Sequence, residues 1–268
     1  MTTTTSTAAF ATSRVALRDR PFVDVLDLSF RFVRDGFGPL AKLSLVMLPL
    51  PMLATALVGS AAGWAWGWFF AVAIAGFVAA PFTVLLGQFV FERDPSVRTA
   101  LRRGLAAMPR LFVVNLILGA GIFASFFFFV LPALWVITTT LFVPEALVLE
   151  RVGLLRSFER SLRLTGRGPG DVVLGGLLRV LIYCVAPMLT DQIGHIVLAS
   201  VFQITGPENL WDVGGSSLAV IGFWLAVPYV AVLRFLLYIN VRTHAEGWDI
   251  QTAFATLATR EGAEEATA

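Results

Sequence analysis

The chain has 268 residues, 57% hydrophobic and 14% charged, with a formal net charge of +2 and a mean hydropathy of +0.80. Soluble domains run at about 45–50% apolar and about 25% charged, so this composition excludes a soluble globular domain and requires lipid as the solvent for much of the surface. The basic pI of about 9.1 is no nucleic-acid signal, because no aromatic-basic surface alternation accompanies it.

The opening MTTTTSTAAFATSRVALRDRP has no apolar core of about 7–15 residues and is not a signal peptide. Residues 1–20 read as a disordered cytoplasmic tail. Pro21 then opens an amphipathic helix with Val23, Leu26, Phe30 and Val33 on one stripe. Its acids, Asp24 and Asp27, stand early and its bases, Arg31 and Arg34, stand late, which suits the helix dipole.

A spanning helix needs about 20 apolar residues. The first two candidates cover residues 40–58 and 68–91, with Trp64, Trp66 and Trp68 clustered between them as an interfacial belt. Residues 111–149 hold one charge, Glu145, and are long enough for two spans, 111–129 and 133–149, divided by a tight turn near Phe129 to Ala133. Residues 172–204 are ambiguous, because they contain Arg179, Asp191, His195 and Pro187. The reading adopted is a span over 172–189 followed by an interfacial helix; the alternative is one long kinked helix. The last span covers 216–239. Prolines mark nearly every span, a pattern ordinary in membrane helices and also used by transporters to expose backbone.

The predicted fold is therefore all-α: a polytopic membrane protein with a six-span domain over 21–260, arranged as three hairpins, and a second disordered tail over 261–268. Basic residues fall in alternate connectors. Arg14 to Lys42 precede or open the first span. Arg93 to Arg110 follow the second, Arg151 to Arg167 the fourth, and Arg242 and Arg260 the sixth. The other three connectors contain no lysine or arginine. By the positive-inside rule both termini are cytoplasmic.

The two long basic connectors resemble each other. In the second, Arg156, Arg160, Arg163 and Arg167 are spaced 4, 3, 4 and form one helical stripe, with Leu154, Leu155, Phe158 and Leu162 on another face. Glu159 and Arg163 can pair at i,i+4. In the first, Asp94 and Pro95 suit an N-cap and first turn, with Val97, Leu101 and Leu105 on one face and Arg98 and Arg102 on another. An offset of 58 residues superposes Val90, Glu92, Arg93, Arg98 and Arg102 on Val148, Glu150, Arg151, Arg156 and Arg160, an internal repeat. Both connectors read as amphipathic helices lying in the interface plane, their arginines contacting lipid headgroups or a membrane-protein partner. Asp249, Ile250, Phe254 and Leu257 suggest another such helix after the last span.

Three segments carry a resemblance: LDLSFRFVRDGFGPL, PEALVLERVGLLRSFERSLRLTGRG and VRTHAEGWDI. Together they resemble the bacterial glycerophosphoryl diester phosphodiesterase membrane-domain family and related six-span proteins, over about Pro21 to Ile250. The resemblance implies a bacterial inner-membrane location and a six-span helical domain. It brings no catalytic residue onto this chain.

No constellation for catalysis stands out: there is no HExxH, GxSxG, phosphate-loop or Rossmann pattern. The chain reads as non-enzymatic, with no cofactor and no metal. Cys184, the only cysteine, reads as an inert buried thiol. Charges inside the bilayer are costly and usually functional, which singles out Glu145, Arg179 and Arg234. Either Glu145 pairs with one of the arginines, or both arginines snorkel to the interface. Asp191 and His195, at i,i+4, read as a solvated interfacial face or a proton or metal site. The expected function is a non-catalytic membrane scaffold or accessory module; a transporter or permease for a small solute or lipid is the alternative.

Overall fold

The computed structural model describes residues 20–92, 95–126, 130–150, 152–204, 206 and 208–246. The predicted tails, Arg14, Arg18, Arg93, Asp94, Arg151, Arg260, the turn at Phe129 and the helix proposed for Asp249 to Leu257 lie outside these residues. Among those described, the regular elements are α-helices: α1 (Phe22–Asp35), α2 (Phe37–Met47), α3 (Pro49–Ala62), α4 (Trp64–Phe91), α5 (Val97–Phe126), α6 (Val130–Thr139), α7 (Val143–Leu149), α8 (Leu154–Arg167), α9 (Pro169–Ser200), α10 (Leu210–Val213) and α11 (Ser217–Glu246).

Five stretches are long and apolar enough to cross a membrane, and α2 with α3 would make a sixth as one bent span. This is an architecture compatible with a polytopic membrane protein. The bend is 43° and falls at Leu48, where two prolines follow. Pro49 has no N–H to give the preceding turn and its ring crowds the carbonyl four residues back, so the helix breaks within the span read over residues 40–58. Residues 133–149 are also interrupted, between Thr139 and Val143.

Two further expectations are corrected. Residues 172–189 were expected to leave the membrane into a separate interfacial helix, but α9 runs unbroken for 32 residues, about 48 Å at 1.5 Å per residue, with Pro187 inside it. The first basic connector was expected as a helix apart from its span, but α5 carries it directly into the apolar run past Pro109. The second connector does stop: Gly168 (φ −140°, ψ 57°) leaves the helical region and Pro169 starts α9. At the offset of 58 the first connector has Arg110 and Leu111 instead, which continue a helix. Ser96 supplies a side-chain cap of α5, accepting the Thr99 N–H at 3.4 Å.

The helix α11 forms the hub. Of its most apolar window 78% is buried, against 61% for α4 and 22% and 17% for α9 and α5, whose remaining apolar surface faces outward. Antiparallel α9 and α11 meet through small residues. A Cβ at Gly222 would sit 2.5 Å from the Ala186 carbonyl oxygen, an approach only glycine permits. Gly104 of α5 backs onto Pro81 of α4 in the same way, with a Cβ there 2.7 Å from the Pro81 nitrogen. At the end remote from the connectors, Trp224 Nε1 donates to Thr55, tying α11 to α3, and Trp68 Nε1 donates to the Gly214 carbonyl, tying α4 to the segment before α11.

The amphipathic segments dock by a third face. In α8 the buried residues are Ser157, Ser161, Leu164 and Thr165, while Leu155 and Leu162 point away from the bundle. In α1 they are Val25 and Ser29, while Val23 and Phe30 point away. Apolar side chains gain nothing by leaving lipid for protein, so small serines make the close helix contacts. Ser161 also repairs the break between α6 and α7: its hydroxyl donates to the Thr139 carbonyl at 2.7 Å and accepts the Phe142 N–H at 3.3 Å. Ser161→Ala removes a buried partner from both groups and should lower unfolding free energy by about 1–3 kcal/mol, read by thermal unfolding in detergent.

Candidate functional site

Of Glu145, Arg179 and Arg234, the three charges in apolar runs, the structure brings two together. Arg234, on the hub helix, donates from Nε to Glu145 Oε1 at 2.7 Å and from Nη2 to the same oxygen. Glu145 is fully buried and Arg234 is 5% exposed, so the pair is sealed from solvent. Pro144 and Glu145 open α7, just after the backbone break, which places the carboxylate at a helix N-terminus where the dipole favours it. Glu145 Oε2 has no hydrogen-bond partner. Arg179 stands apart from this pair: its guanidinium lies 6.0 Å over the Tyr183 ring, within electrostatic reach of Glu145 and Arg234 but with no carboxylate at ion-pair distance among the described residues. Both side chains of the Glu145–Arg234 pair turn into the bundle rather than to its surface.

A second centre gathers at the end where the basic connectors meet. Glu150 Oε1 takes Arg160 Nη2 at 3.2 Å and Arg242 Nη1 at 3.3 Å, and the Tyr238 hydroxyl donates to it as well. Arg160 thus turns inward, while Arg98, Arg102, Arg156, Arg163 and Arg167 remain exposed. Arg163 meets Glu159 at 3.4 Å, as its i,i+4 spacing predicted, and Arg167 donates to the Ala245 carbonyl. Beside Glu150 a cleft of about 500 Å³ opens between α4, α5, α7 and α11, lined by Gln88, Glu92, Arg103, Arg110 and Arg242 over Val84, Leu147 and Ile239. Arg103 Nη1 lies 3.3 Å from Glu92 Oε1.

The third cluster joins α9 to the start of α11. Asp191 is fully buried rather than on a solvated face. It accepts the Leu210 N–H at 3.2 Å and the Ser216 hydroxyl, and Ser216 in turn accepts the Ala219 N–H at 2.9 Å as the cap of α11. His195 Nε2 lies 3.5 Å from Asp191 Oδ1 without hydrogen-bond geometry. Among the described residues no three His, Cys, Asp or Glu side chains converge as a metal cage. Cys184 is exposed on α9, not buried as expected, because α9 turns most of its surface outward.

Sequence reasoning passed over Gln88, Glu150, Tyr238, Ser161 and Ser216. Gln88 had one signal, an uncharged amide in the otherwise apolar VLLGQFVF. The serines had none, since only packing distinguishes a docking serine from a solvated one. The described residues form an all-helical protein with buried ionic contacts, whose five or six long apolar helices are compatible with a multi-pass membrane protein. No protein-family model, curated protein or solved structure matches the chain.

Proposed function

We propose that the protein is a six-span module of the bacterial inner membrane, with both termini cytoplasmic, that scaffolds or assists a membrane-protein partner without catalysing a reaction. The observation that carries this reading is the sealed Glu145–Arg234 pair. A permease path through the charged centre needs water at that depth, and both side chains are packed away from it. Lipids and a partner are served instead by the outward arginines Arg98, Arg102, Arg156, Arg163 and Arg167, which form a collar around the basic end. The alternating basic connectors support the sidedness, and the motif resemblance supports the location. The residue match at the offset of 58 supports a duplicated hairpin; the ion pairs Glu92–Arg103 and Glu150–Arg160 do not extend it, because the counterpart of Arg160 is Arg102.

The permease alternative draws on one feature, the unpartnered Glu145 Oε2 near Arg179. Cysteine labelling separates the two. With Cys184 replaced by alanine, Ala231→Cys places a thiol one turn from Arg234. A membrane-impermeant charged thiol reagent applied from either side of native vesicles should leave it unlabelled. Labelling at the rate of an exposed control at Arg156→Cys would establish a water path and sink the scaffold reading.

A further inference from the structure

The cleft at the basic end contains a donor that the protein itself does not satisfy. Gln88 is 2% exposed, and its Oε1 accepts the Ser96 N–H at 3.1 Å. That bond assigns the amide: oxygen must face Ser96, so Nε2 faces elsewhere. Nε2 is buried and meets no acceptor, although Gln88 lines the cleft. An unsatisfied buried donor is destabilising, and what it lacks is an acceptor.

The surroundings specify that acceptor as anionic. Arg103, Arg110 and Arg242 line the cleft, and of these Arg242 already meets Glu150 beside it while the lining carboxylate is Glu92. Arg110 has no ion pair among the described residues, and Arg103 meets Glu92 through Nη1. Guanidinium forks match phosphate oxygens through paired hydrogen bonds, and phosphate carries more acceptor oxygens than a carboxylate to share among several donors. The cleft volume, about 500 Å³, lies within the range of about 300–1,000 Å³ usual for small-ligand sites. Its Val84, Leu147 and Ile239 wall offers apolar contact to whatever carries the phosphate.

We propose that this cleft is a binding site for a phosphate group, held by Gln88 Nε2, Arg103 and Arg110, with Arg242 adjoining. The site is distinct from the outward arginine collar and holds whether the protein is a scaffold or a permease. The phosphate has two possible sources, a phospholipid headgroup or a free phosphorylated solute.

Native mass spectrometry of the full chain in detergent tests the first source, titrating phosphatidylglycerol against diacylglycerol, which lacks the phosphate. Thermal shift with inorganic phosphate tests the second. The decisive variant is Gln88→Glu, which keeps an oxygen for Ser96 and places a carboxylate where the donor was. Arg110→Gln, at an exposed position, carries the test if Gln88→Glu fails to fold. Phosphatidylglycerol should be retained where diacylglycerol is not, and each variant should weaken retention by at least about tenfold, the size of one lost charge-assisted hydrogen bond. Arg31→Gln and Arg34→Gln, exposed on α1 and outside both the cleft and the collar, should retain it. Lipid retention sensitive to these variants identifies a headgroup. Stabilisation by inorganic phosphate with the same sensitivity identifies a free anion. Retention and phosphate response both unchanged in Gln88→Glu and Arg110→Gln, or absent from the unaltered protein, would overturn the proposal.

Discussion

Arg234→Met should lower the unfolding free energy by about 3–5 kcal/mol, because it leaves the Glu145 carboxylate charged and unpaired in a sealed site. Glu145→Leu should cost a similar amount by stranding the guanidinium. The double variant, Glu145→Leu with Arg234→Met, should recover most of either loss, since two apolar side chains of similar volume need no desolvation. A further variant tests direction: Glu145→Arg with Arg234→Glu should be more stable than either reversal alone. Equilibrium unfolding in detergent measures all of these. Additive losses in the double variant would mean that the two residues do not act as a pair. The cost is large because Glu145 uses only one oxygen on Arg234, so nothing else in the described structure compensates if that contact goes.

Asp191→Ala should cost about 3 kcal/mol and should also loosen the segment between α9 and α11. The carboxylate is fully buried and takes hydrogen bonds from Leu210 and Ser216, so its removal strands a backbone N–H and unsettles the cap of α11. Asp191→Asn keeps one oxygen and should lose less. Limited proteolysis reads the local part: cleavage between α9 and α11 should rise in Asp191→Ala before global unfolding begins. Equal protease resistance in the two proteins would place the role of Asp191 elsewhere.

Both predictions concern residues that stood out as charges in apolar runs, yet neither arrangement followed from the runs themselves. Glu145 could be paired with Arg179 or Arg234 on sequence separation alone. The choice depends on how α7 restarts after the break at Thr139 and on which face of α11 turns toward it. Asp191 was read as solvated because it follows a proline within an apolar stretch. In the structure α9 continues past Pro187, and the chain after it folds back so that Leu210 and Ser216 cover the carboxylate. Cys184 went the other way for a related reason: an apolar neighbourhood meant burial in protein, whereas much of α9 faces outward.

By itself the sequence determined that the chain is helical, where most of its long apolar stretches lie and which connectors are basic. These follow from local length, hydropathy and charge, each of which a single segment carries without reference to the others. Tertiary structure alone decided which helix is the hub, which arginine meets Glu145, and that Ser161 and Ser29 are docking surfaces. It also decided that Gln88 presents an unmet donor beside Arg103 and Arg110. The physical reason is the solvent. In water, burial follows hydropathy and can be read from its period; in lipid, apolar faces are equally content outside. The inward faces are then chosen by close approach of small residues and by the pairing of polar groups, and both depend on a second helix.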